Sequence, residues 1–172
     1  MSHPILDLIL SRRSIRKFTD EPVPHEILVD LLKAGMAAPS ATNSRPWEFI
    51  VITDAEQLDS LRKVLPLGKY NAPVAIIPCH NPLIASNPAN LLFWQQDCSA
   101  AVENILIAAT AMGLGSVWIG VYPLHLLVRA VRRVIKAPVW ITPLCVIQTG
   151  FPAQQKPPRT QYEEQRVHWD RY

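Results

Sequence analysis

Cysteine is scarce in this 172-residue chain, and its three copies, Cys79, Cys98 and Cys145, stand far apart in apolar surroundings. An odd, widely spaced set of this kind excludes a disulfide framework or a zinc site as the organising device. The three read instead as core residues of a reduced, cytoplasmic protein. A strong charge of either sign is also missing, since 17 basic residues face 14 acidic ones for a formal net charge of +3. That excess is too small to demand a nucleic acid or a membrane as partner. No apolar run is both long and unbroken: the most apolar stretch, residues 91–113, contains Gln95, Gln96, Asp97, Glu103 and Asn104, which a bilayer would bury at high cost. The start, Met1-Ser2-His3-Pro4, has no basic region, and Asp7 interrupts the apolar stretch behind it, unlike a signal peptide. Internal repeats and linkers between cores are absent too. With 49% hydrophobic residues, the expectation is a single domain over residues 1–172.

What is present reads as an alternation of helices and short strands. Pro4, with Ser2 or His3 as cap, opens a helix to about Ser11, and Pro24 opens a second whose stripe is Ile27, Leu28, Leu31 and Leu32. Pro39 stops it. Glu48 to Ile52 reads as a strand followed by a helix over about residues 55–65, entered through Thr53-Asp54. Val74 to Ile77 gives a second strand, Leu83 to Asn90 a loop, and Leu91 to Met112 a helix with enough alanine to pack closely. A third strand at Ser116–Ile119, a helix from Pro123 to about Ile135 and a fourth strand at Leu144–Gln148 complete the pattern. Beyond Gly150 no apolar period remains, so the tail needs a support, and a partner subunit is the natural one.

Two segments carry chemistry. Arg12-Arg13-Ser14-Ile15-Arg16-Lys17 places four cations and a hydroxyl just past a helix end. Guanidinium forks match phosphate and ring-edge acceptors bidentately, although cations are also favoured at a helix C-terminus by the dipole alone. Pro39-Ser40-Ala41-Thr42-Asn43-Ser44-Arg45-Pro46-Trp47 offers small residues whose backbone a ligand can approach, the Asn43 amide, and a rigid entry into a strand. Trp47 itself reads as core. Gly113-Leu114-Gly115 is no dinucleotide fingerprint, because it follows a helix and precedes a strand. His25, His80, His125 and Glu103 are scattered, and neither a nucleophile triad nor a metal site emerges.

These two segments, with Gly113-Leu114-Gly115-Ser116-Val117-Trp118-Ile119-Gly120 and Gly150-Phe151-Pro152 followed by Lys156-Pro157-Pro158-Arg159, resemble the FMN-dependent nitroreductase family. The resemblance spans nearly the whole chain. It implies an α+β three-layer fold, a central and mainly antiparallel sheet flanked by helices, in an intertwined homodimer with an exchanged C-terminal arm. It further implies an NAD(P)H-dependent flavin oxidoreductase, passing a hydride from NADH or NADPH through flavin N5 to nitroaromatic, quinone or related small acceptors, with no catalytic side chain of its own. Arg12, Arg13, Ser14 and Arg16 would hold the FMN phosphate, ribityl and pyrimidine edge. Pro39, Ser40, Ala41 and Asn43 would reach that flavin from the other subunit, Trp118, Ile119 and Gly120 would supply backbone near the isoalloxazine, and Arg159 would return to the phosphate. The family commonly has Gln where this chain has Arg45, which makes Arg45 a candidate substrate contact. The compact segment 67–90 leaves little material for a lid.

Three other readings share these residues. One is a specialised flavin enzyme of the same fold, a reductive dehalogenase or a flavin-degrading enzyme, and another is a non-catalytic flavin-binding protein. A nucleic-acid binder is disfavoured, because no stacking aromatics interleave with the cations of residues 12–17.

Overall fold

The computed structural model describes residues 3–172. Helix α1 (Pro4–Ser11) begins with Pro4 in its first turn, where a missing N–H costs nothing. His3 takes the cap position without a side-chain bond, and Ser2 lies outside the described residues. After it come α2 (His25–Met36), β1 (Trp47–Ile52), α3 (Ala55–Val64), β2 (Val74–His80), α4 (Asn90–Ala111), β3 (Gly115–Gly120), α5 (His125–Val134), β4 (Thr142–Pro143) and β5 (Cys145–Gly150). The cap expected before α3 is made: the Asp54 carboxylate accepts from Gln57 N at 2.9 Å.

The sheet runs in the order β1-β2-β5-β3, with β4 pairing β2, and every strand pairing in it is antiparallel. Strand β2 continues past the expected end at Ile77 and takes in Pro78, which has no N–H to give to a ladder. It sits where none is needed: β5 pairs Val74 to Ile76, β4 pairs Cys79 and His80, and Pro78 lies in the gap between them. Its carbonyl accepts from Leu144 N at 2.9 Å.

Alternation along the central strands sorts the core into two sides. Val74, Ile76, Cys145 and Ile147 meet Leu28 and Leu31 of α2 and Cys98, Val102 and Ile105 of α4. Ala75, Ile77, Cys79 and Val146 meet Leu58 and Leu61 of α3 and Leu127 and Val131 of α5. The result is helix, sheet, helix, which is the expected three-layer α+β arrangement. Helix α4 packs Cys98, Ala101, Val102 and Ile105 into the layer between the sheet and α2, and Trp47 is core, as read from the sequence.

All three thiols are buried in these layers. Burial pushes Cys79 and Cys145 far up and Cys98 up to about 12, each with a smaller contribution from neighbouring acidic or thiol groups. At mildly alkaline pH a thiol-disulfide reagent is therefore expected to label none of the three in the native protein and all of them in denaturant, read by absorbance of the released thiolate. Truncation at Leu31, fully buried between α2 and α4, is expected to cost about 2–5 kcal/mol, measured by urea unfolding of Leu31→Ala.

Candidate functional site

Beyond α1 the chain runs alongside edge strand β3: Ser14 pairs with Ser116 in parallel, and Ile15 N donates to Ser116 O at 2.9 Å. Gly115 makes the approach possible, since a Cβ there would stand 2.6 Å from Ile15 Cγ2. Ile15 and Phe18 bury themselves against Ala72 and Val117, which leaves Arg16 and Lys17 exposed. The tail then returns over this segment. Thr19 N donates to Phe151 O at 2.9 Å, Ala153 N to Lys17 O at 2.9 Å, and Arg159 N to Leu10 O at 3.0 Å. Residues 151–159 thus find their support within their own chain.

The return builds a cleft of about 360 Å³ lined by Arg12, Arg13, Ser14, Arg16, Lys156 and Arg159, with no carboxylate in its wall. Lys156, which the sequence reading did not single out, donates from Nζ to Ser14 O at 2.7 Å. Desolvation, and then Arg16, Arg13 and Arg159, hold its pKa below the usual lysine value. Arg13 is fixed by the Pro157 carbonyl. Arg12 differs from its neighbours: its Nε lies 3.2 Å from Glu103 of α4, so part of its charge is already answered. Glu103 is thereby an ion-pair partner rather than a free acid.

A second cleft of about 240 Å³ adjoins this one, walled by Tyr70, Val117, Trp118, Ile119, Gly120 and Leu127. Arg16 lines both. Concentrated positive charge at one end and an apolar wall at the other suit a ligand with an anionic group and a flat ring system. Gly120 adds no side chain, and the space where a Cβ would stand is empty.

The second motif lies elsewhere: Pro39, Ser40, Ala41, Asn43 and Arg45 line neither cleft. Its loop is nonetheless tightly built. Thr42, Asn43 and Arg45 have φ of 49°, 56° and 46°, a left-handed conformation unusual for residues with a side chain. Buried Asp97 of α4 secures the loop, accepting from Ala41 N at 2.8 Å and Ser44 Oγ at 3.0 Å. Asn87 and Thr42 bond reciprocally at 2.8 and 3.0 Å, and Ser40 Oγ accepts from Arg45 N at 3.0 Å. Arg45 itself is exposed, with no ion-pair partner among the described residues. Sequence reading missed Asp97 because one acid in an apolar helix signals cost, not its partner.

His80 is structural. It is buried, stacks on Trp94 at 4.8 Å and shares Nε2 with Asn90 Oδ1 at 2.9 Å. Burial lowers its pKa against the opposing pull of Asn90 and Asp97, so it stays neutral at physiological pH.

The profile of the nitroreductase family matches residues 9–67 and 64–151, and the chain belongs to that family. A protein of Methanothermobacter thermautotrophicus, provisionally named an NADH dehydrogenase/NAD(P)H nitroreductase, is 42% identical over 170 residues, 98% of this chain and 87% of its own. A crystal structure of a Bacteroides thetaiotaomicron protein with the same provisional name is 40% identical over 100% of both chains, with a TM-score of 0.91. A Desulfovibrio desulfuricans protein, provisionally named a nitroreductase and solved in complex with FMN, is 32% identical over 94% of each chain, with a TM-score of 0.78.

Two outcomes test the site as built. An anion among the cations draws the Lys156 pKa back up, so binding takes up a proton wherever the free side chain has lost one. Sulfate affinity, measured by calorimetry, is expected to be full below the depressed Lys156 pKa and to fall as pH rises through it, and Lys156→Gln should weaken binding and flatten that dependence. Asp97→Asn leaves one donor of the loop unanswered and is expected to cost about 1–3 kcal/mol in urea unfolding.

Proposed function

We propose that this chain is an FMN-dependent oxidoreductase that takes reducing equivalents from NADH or NADPH and delivers them to small nitroaromatic, quinone or related acceptors. The observation that carries the reading is the junction at Arg16: a cation-lined cleft without a carboxylate in its wall on one side, a Trp118-walled apolar cleft on the other. Relatives in the same family are named for nicotinamide-dependent activity, and one holds FMN. In this reading residues 1–172 form one FMN-binding domain.

Bound there, FMN would supply the redox chemistry, accepting and donating hydride at N5. The protein's own residues bind and orient. Arg13, Ser14, Lys156 and Arg159 present donors for the phosphate, with Arg12 shared between this task and Glu103. Arg16, placed between the clefts, offers its positive charge to the polar edge of the ring and would stabilise negative charge that develops there on reduction. Trp118, Ile119 and Gly120 provide the wall and its backbone groups. Exposed Arg45 fits a role in meeting an anionic acceptor or a nicotinamide phosphate.

The loop of Pro39, Ser40, Ala41 and Asn43, prebuilt yet remote from both clefts, supports a homodimer in which it serves the partner's flavin. Apolar side chains left exposed support the same assembly: Ile5, Leu6 and Ile9 on α1, Leu91, Leu92 and Phe93 on α4, and Trp169 and Tyr172 in the tail. The exchange of the arm would involve residues beyond Arg159, which are exposed apart from half-buried Glu163, since residues 151–159 already lean on their own chain.

Purified protein is expected to be yellow, with a solution mass twice the 19.3 kDa of one chain by light scattering. Arg16→Ala and Arg159→Ala, each losing a charge-assisted bond worth about 1.5–3 kcal/mol, should bind FMN roughly ten- to a hundredfold more weakly in fluorescence titrations. Anaerobic addition of NADH or NADPH should bleach the flavin absorbance. A folded protein that stays colourless with excess FMN would end this reading.

A further inference from the structure

The segment between α3 and β2 passes along the rim of the apolar cleft, and Pro66, Leu67, Gly68 and Tyr70 all line it. Both ends of this strap are tied down. Leu65 is buried beside α3, while Arg62, paired with Asp59 at 2.6 Å, donates from Nε to Tyr70 O at 2.9 Å and from Nη2 to Ala72 O at 2.8 Å. The middle is tied, among the described residues, by Gln148, whose Nε2 donates to Gly68 O at 2.7 Å.

Gln148 is an unusual tie. It is 2% exposed on β5, paired with Ala75 on one side and Val117 on the other, and its buried Oε1 has no partner among the described residues. Such an orphaned oxygen is destabilising, and an apolar residue of similar volume would avoid that cost. The one thing the amide provides that leucine or methionine does not is the bond to Gly68. Gly68 in turn has φ of +89°, and a Cβ there would stand 2.3 Å from Ile119 Cδ1, so the strap is drawn flat onto the cleft wall. Holding Gly68 down sets the position of its neighbour Leu67, which is 77% exposed at the mouth of the cleft beside exposed Leu124.

We propose that Gln148 is a positioning residue that pins the strap at Gly68, and that Leu67, so placed, is the specificity-determining side chain against which a flat, apolar electron acceptor is held. The inference rests on the flavin reading above and adds which class of acceptor that site favours and why. Leu67 offers no donor or acceptor, so it rewards ring area and does little for a small anion.

The test uses the FMN-loaded protein with menadione as the flat acceptor and ferricyanide as a small, charged one. Leu67→Gly and Gln148→Met are each expected to raise the KM for menadione about five- to tenfold with kcat held within about twofold, and to change the KM for ferricyanide far less. Because Gln148 acts through Leu67, the double variant should be no worse than Leu67→Gly alone, a result that mere loss of packing would not produce. Hydrogen exchange on flavin-free protein provides a readout independent of turnover: Gln148→Met should speed exchange at residues 67–70 and leave β5 protected. Leu67→Gly, altering an exposed side chain, keeps the test decisive should Gln148→Met fold poorly. An unchanged menadione KM in Leu67→Gly, or equal losses on both acceptors, would overturn the proposal. Failure of the wild-type protein to take up FMN would instead strike the flavin reading, with the exchange data still deciding whether Gln148 pins the strap.

Discussion

The constraint on which the site depends is the enforced proximity of like charges. Arg13, Arg16, Lys156 and Arg159 come from two ends of the chain, and no acid lines their cleft. Left to themselves, mobile cations would separate into solvent, where screening makes their repulsion cheap to relieve. Here they are held by backbone. The pairing of Ile15 with Ser116, of Thr19 with Phe151, of Ala153 with Lys17 and of Arg159 with Leu10 fixes both strands of the cluster without using any of the charged heads. Arg13 and Lys156 then give their donors to the carbonyls of Pro157 and Ser14, which orients them but leaves their charge unanswered. The Lys156 pKa is lowered first by desolvation and then by the guanidinium groups of Arg16, Arg13 and Arg159. A surface built this way suits an anion, the counterpart that guanidinium and ammonium groups bind best.

The three layers supply the rigidity that such an arrangement needs. Strand β3 is the floor beside which residues 14–18 run, and it is tied through β5 and β2 into a sheet buried on both faces. Helix α4 does two further jobs from one apolar rod. Its Glu103 answers Arg12, and its Asp97, two turns nearer the N-terminus, holds the loop of Ala41 and Ser44. The two motifs therefore share one helix as a common mount even though they line no common cleft. A shift of α4 would move both, so the packing of Val102 and Ile105 against α2 and the sheet is part of the site's geometry rather than background stability.

Much of this was legible in the residues. Helical stripes, proline stops and the Asp54 cap located the elements to within a few residues, because each rests on local chemistry: a missing N–H, a side-chain acceptor, a period of 3.6. Element ends were less certain, with α5 starting at His125 rather than Pro123 and β2 running on through Pro78. The two-residue β4 had no pattern of its own to announce it. At the candidate site, Arg13, Ser14 and Arg16 drew notice as a local cluster of cations around a hydroxyl, whereas Arg159 entered only through the family resemblance. Lys156, Asp97 and Gln148 were not legible. Their importance comes from partners 142, 56 and 80 positions away, and nothing in a single polar residue states which carbonyl or amide it will meet.

The strain in the second motif gives the last step. Three residues with side chains in left-handed backbone are expensive, of order 1 kcal/mol or more each, and such conformations persist where surrounding bonds overdetermine them. Asp97, Asn87 and Ser86 do so here, with Ser86 Oγ donating to Asn43 O at 3.0 Å. A loop held so firmly, facing neither cleft of its own chain, fits the proposed homodimer, in which it would meet the partner's flavin. The exposed apolar residues of α1 and of the start of α4 offer the means of bringing a second copy into place. In that assembly, the cation cluster of one chain and the strained loop of the other would each provide what its counterpart lacks: charge without a covering surface, and a shaped surface without charge beyond Arg45.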